Sequence, residues 1–164
     1  MSIDVQIIQS LGKAHSGEPW YGPSTLSLVG GLSATEAAAH PIEGGHSVWE
    51  LLLHMIAWQN EVLRRLRGSD PAWPEEGDWQ KITDSREGSW EQVKASLASS
   101  TSQLEEHLGS TAVDYEALVG TARSRELASG VTIGETVLGL IQHNAYHTGQ
   151  IALLKRALAS GEGV

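Results

Sequence analysis

The chain has 164 residues, with 11 Lys and Arg against 20 Asp and Glu, a net charge of −9. That length fits a single domain over 1–164, and 40% hydrophobic residues exclude the low-hydrophobicity, high-charge profile of a disordered chain. The acidic balance excludes the electrostatic footprint of a nucleic-acid binder, and no apolar run approaches the roughly 20 residues of a membrane span.

The start, Met1-Ser2-Ile3-Asp4-Val5-Gln6, has neither a basic nor an apolar leader region, so a cytoplasmic location is expected. A first helix over 3–14 runs into a Gly/Pro-rich stretch from Ser16 to Ser24. A second piece, 24–39, is broken by Gly30-Gly31 and closes before Pro41. A strong helix follows over 47–67, ending at Gly68 ahead of Pro71 and Pro74. Residues 68–88 read as a long loop carrying Trp73 and Trp79, and a connection of that length more often serves function than plain linkage. Residues 89–108 form a further helix closed by Gly109, residues 109–131 are mixed with a short helix around 114–119, and the last helix runs over 132–159.

Four matches to the capping-box pattern support these starts: Ser33-x-x-Glu36, Ser47-x-x-Glu50, Ser89-x-x-Gln92 and Thr132-x-x-Glu135. In that pattern two side chains satisfy backbone donors that a helix start leaves open. Long helices separated by long connections predict an all-α four-helix bundle with crossovers.

Cysteine is absent, which removes disulfides, thiolate metal sites and a cysteine nucleophile together. Any thiol chemistry must bring its sulfur on a cofactor or substrate. Of the seven histidines, His143 and His147 lie four apart in a long helix, about 40° apart on one face. Thr136, Leu140, Ile151 and Leu154 share that face, so the pair sits in the apolar stripe. Two neighbouring buried imidazoles need partners. Core hydrogen bonds would serve, and so would a metal ion.

His54 is the best third ligand, just past the apolar arc of helix 47–67 (Val48, Leu52, Met55, Val62, Leu66). Three neutral imidazoles suit zinc, nickel or another borderline divalent ion and leave coordination positions open for water or substrate. Tyr146 and Gln150 flank the pair and are candidates to contact a metal-bound water. Trp20, Trp49 and Trp58 are candidates for pocket wall or core. For Gly134, Gly139 and Gly149, close helix approach is the first explanation and room beside a ligand the second. Other motifs fail. His143-Asn-Ala-Tyr-His147 lacks the glutamate of a zinc protease, and the Glu-x-x-His of a di-iron bundle occurs once, as Glu43-Gly-Gly-His46 in a glycine loop.

The run His143-Asn-Ala-Tyr-His147-Thr-Gly-Gln150-Ile-Ala-Leu-Leu resembles the C-terminal helix motif of the DinB-like (YfiT-like) superfamily. His46-Ser-Val-Trp-Glu-Leu-Leu-Leu-His54-Met-Ile-Ala-Trp58 resembles its second-helix motif, and the Trp20-Tyr-Gly-Pro-Ser24 turn is similar to members of the group. The resemblance implies an up-down-down-up bundle, often a homodimer, with a divalent metal on three histidines that map onto His54, His143 and His147. It further implies a metal-dependent transferase that uses a low-molecular-weight thiol, such as bacillithiol or mycothiol, on a small-molecule electrophile in detoxification or stress response. In that scheme Glu50 orients a ligand imidazole. A metal-dependent hydrolase and a non-catalytic, metal-stabilised bundle are the alternatives.

Overall fold

Three of the expected caps form. The hydroxyls of Ser33, Ser47 and Thr132 accept from the backbone N–H groups of Glu36, Glu50 and Glu135, whose carboxylates accept from the cap N–H groups in return. Each such cap is worth about 1 kcal/mol, and together they fix where three helices begin. The structure, a computed structural model, describes residues 3–110, 113–120 and 130–161. Four long helices, α1 (Ile3–His15), α4 (Val48–Leu66), α5 (Glu87–Ser110) and α6 (Ile133–Ser160), make the bundle, and the short α2 (Thr25–Val29) and α3 (Ala34–Ala38) lie in the first crossover.

Three local expectations are corrected. α5 begins at Glu87, so Ser89 lies inside it and does not cap it. Asp84 stands ahead of the helix instead, accepting from the Ser89 hydroxyl (2.5 Å) and the Arg86 N–H (3.1 Å). Gly109 does not close α5, which runs on to Ser110. A closing glycine takes a left-handed φ, as Gly68 (94°) and Gly161 (66°) do and Gly109 does not. The stretch around 114–119 is a turn and an antiparallel bridge between Leu118 and Thr132, because Val119 donates to Val131 O and Ile133 to Ala117 O. Residues 111–112 and 121–129 of that mixed segment lie outside the described residues.

Two apolar clusters give the helix directions. One joins Leu52 and Met55 of α4, Trp90 and Leu97 of α5, and Ile151 and Leu154 of α6. The other joins Val62 and Leu63 of α4, Leu104 and Leu108 of α5, and Val137 and Leu140 of α6. α4 and α5 therefore run parallel, and α6 runs against both. α1 packs against α5 in the opposite sense, Gly12 near Glu105 and Gly109 near Ile8. The order is up, down, down, up. α4 contacts both α5 and α6, and α1 closes the ring by contacting the same two. Trp90 anchors the first crossover by donating its indole N–H to Leu32 O (2.8 Å). Among the described residues no helix is long and apolar enough to cross a membrane.

Candidate metal centre

The seam between α4 and α6 carries the histidines. The apolar stripe of α6 turns Leu140, Ile151 and Leu154 into the core, and one-turn spacing stacks His143 and His147 on the adjoining face. His54 enters from α4, buried at 5% exposure. Its Nε2 lies 2.9 Å from His143 Nε2, which lies 3.1 Å from His147 Nε2. These are the described residues whose ligand atoms gather closely enough to hold an ion.

The outer nitrogens decide what the inner ones can do. His54 Nδ1 donates to Asp78 O (2.8 Å), with Asp78 Oδ1 at 3.2 Å. His147 Nδ1 donates to Gln150 Oε1 (2.6 Å). Both acceptors place the proton on Nδ1, so both Nε2 atoms turn bare lone pairs toward His143. His143 Nε2 carries at most one proton, and one bond cannot satisfy two such lone pairs. Burial, then the neighbouring imidazoles of His147 and His54, push His143 down to about 4, so that ring is neutral at pH 7. Burial likewise lowers His147. A cation satisfies all three nitrogens at once. With neighbouring nitrogens 2.9 and 3.1 Å apart and all three within 4.8 Å of one another, the three imidazoles are near enough to hold one divalent ion. His143 Nδ1 would then carry the proton. It is buried without a hydrogen bond, as is Oδ1 of Asn144, whose side chain favours the charged ring weakly.

Aromatic rings enclose the cluster. Trp79 stacks on His54 with centroids 3.9 Å apart and planes 5° from parallel, and its other face takes His46 at 3.6 Å. Trp58 meets His143 edge-on and donates its indole N–H to Asp78 Oδ1 (2.7 Å). Asp78 and Trp79 come from the loop after α4, which Glu61 fastens. Buried at 1% exposure, Glu61 accepts from the Ala72 N–H (2.8 Å), Arg65 Nε (3.0 Å) and Arg64 Nη2 (2.6 Å). Beside His143 a cavity of about 330 Å³ opens between α4 and α6, walled mainly by Trp58, Val62, Gly139 and Leu140, with Arg65 and Glu135 at its polar edges.

The sequence profile described as DinB superfamily matches residues 23–151, which include all three histidines. The chain belongs to the DinB superfamily. No curated protein matched in sequence. A crystal structure of a conserved protein from Enterococcus faecalis superposes with a TM-score of 0.70 at 17% identity, covering 98% of this chain and 99% of that one. That likeness shows the fold alone.

Within this DinB-superfamily chain the structure brings His54, His143 and His147 together, while the Glu50 carboxylate bonds to other groups. That carboxylate closes the Ser47 cap and meets His40 Nε2 (2.9 Å) and His46 Nδ1 (3.6 Å). The groups that orient the imidazoles are Asp78 and Gln150. Tyr146 is exposed, its ring 5.1 Å from that of His147. Of the tryptophans, Trp49 is core beside Trp90, Trp58 walls the cavity, and Trp20 stands in solvent at 97% exposure. Close approach explains Gly134, where an added Cβ would meet Tyr115 O at 3.1 Å, while Gly139 and Gly149 face open space. Asp78 and Trp79 had no periodic signal to give them away. The loop's length and its tryptophans were the available clue.

Proposed function

We propose that this protein is a divalent-metal-dependent enzyme that transfers a low-molecular-weight thiol to a small electrophile. One observation carries the reading: three imidazole nitrogens converge, two of them with bare lone pairs that the single Nε2 proton of His143 cannot both satisfy. A zinc or nickel ion held by His54, His143 and His147 would supply Lewis acidity and favour the deprotonated form of a thiol or water. The chain supplies the rest. Asp78 and Gln150 fix the tautomers of two imidazoles, Trp79 and Trp58 screen them from water, and the cavity beside His143 receives a reactant. The thiol loses its proton to solvent, and its sulfur lone pair forms the S–C bond as the leaving group departs with its own electron pair. With no cysteine in the chain, that sulfur comes from outside.

The test is elemental analysis of untagged protein, then a thiol panel against monobromobimane with apo and reloaded protein. Metal-dependent conjugation at one metal per chain is expected. Conjugation rates equal in apo and loaded protein would overturn the reading, and ester turnover without a thiol would replace it with hydrolysis. A homodimer, which the resemblance implies, is proposed through the outer face of α6, where Leu138, Tyr146 and Leu153 are exposed.

A further inference from the structure

We infer that the cavity beside His143 is an apolar binding chamber for a neutral, bicyclic molecule of indole or naphthalene size, the electrophilic partner of the transfer; this last role rests on the proposed function. Its size comes first. About 330 Å³ is roughly twice the 150 Å³ or so that accommodates one benzene ring in a protein interior. Its chemistry comes next. Trp58, Val62 and Leu140 provide a ring face and branched aliphatic walls, which favour an apolar occupant and penalise a group that loses water without gaining a partner.

The charges at its edge lie on Arg65 and Glu135. Arg65 donates to Glu61 Oε1 (3.0 Å) and stands 5.8 Å over the Trp58 ring, and Glu135 accepts from the Thr132 N–H (2.7 Å) at the start of α6. An anionic ligand would have to compete with Glu61 for Arg65 and would lie near the Glu135 carboxylate, and a cationic ligand would lie near Arg65. Polar thiol cofactors suit such a chamber poorly, whereas a neutral electrophile suits it well and lies next to His143.

Gly139 marks the position that tunes the space. It lines the chamber, and a Cβ built on it meets nothing within 4 Å. Gly139 is exposed, so a side chain there would narrow the cavity from its open edge while removing a helix-interior glycine that costs about 1 kcal/mol against alanine. Gly139 thus sets the size of molecule admitted.

The test titrates indole into metal-loaded protein by calorimetry and maps it by amide chemical shifts, using wild type, Gly139→Ala and Gly139→Leu. Expected are one indole per chain, shifts centred on Gly139 and Leu140, graded weakening from Ala to Leu reaching at least about tenfold, and unchanged metal content. Indole-3-acetate should bind at least about tenfold more weakly than indole. No indole binding at millimolar concentration, shifts centred elsewhere, or binding indifferent to Gly139→Leu would overturn the chamber. Should Gly139→Leu fail to fold, the Ala variant and the shift map still decide. Indole binding in a protein without thiol transfer keeps the chamber and removes the transfer reading; thiol transfer without indole binding does the reverse.

Discussion

Asp78 shows how much of a site can rest on a residue outside its inner ring. Its carbonyl and carboxylate both face His54 Nδ1, and the carboxylate also holds the Trp58 indole. Asp78→Ala keeps the carbonyl and loses the rest, so metal affinity should fall about tenfold, the low end for such partners, as read by competition with a chromophoric chelator. His143 gives a pH prediction. Its folded pKa of about 4 lies below the ordinary 6.5, so the unfolded chain binds the proton more readily between those values. Stability of the apo protein should therefore decline as pH falls from about 6.5 to about 4, with no further contribution from this group below. His147, also lowered, acts in the same direction. A midpoint near 6.5 for His143 in an NMR titration would contradict this. The histidines were legible because helical periodicity and apolar neighbours locate them. Asp78 and Trp79 were not, because a loop has no period and its course depends on contacts with α4.

The elements themselves were legible wherever a local signal acted alone. Ser33, Ser47 and Thr132 start helices by chemistry confined to four residues. Ser89 misled because Asp84, five residues earlier, holds its hydroxyl, and Gly109 because α1 packs beside the last turn of α5. The link between α4 and its following loop is a buried one. Glu61 joins Arg64, Arg65 and the Ala72 N–H, and removing one partner of a buried pair strands the others. Glu61→Ala should cost about 3–5 kcal/mol in urea unfolding and weaken metal binding as well, since Asp78 and Trp79 ride on that loop. Lost stability with untouched metal affinity would show that the loop keeps its place without Glu61.

At the scale of the molecule, helix lengths and connections pointed to a bundle with crossovers, but the up-down-down-up order came only with the resemblance. Lengths carry no direction. The directions are set by which halves of α4, α5 and α6 share a cluster, and this puts His54 opposite His143 and His147. An ion bound there would join α4 to α6, so it should stabilise the native state by mass action, about 2.7 kcal/mol at a hundred times its Kd. Chelation should lower the Tm of wild type and leave His54→Ala unmoved; an equal drop in both would place the stabilising ion elsewhere. The proposed dimer is checked by sedimentation, with Leu153→Glu expected to give monomers.

The sandwich of Trp79 between His46 and His54 has a practical outcome. An indole lying flat on an imidazole feels any charge that arrives on the ring's far nitrogen, so its emission becomes a native optical tag. Loading of the centre can be followed by light in unlabelled protein, with a Trp79→Phe blank to subtract the five remaining tryptophans of the six.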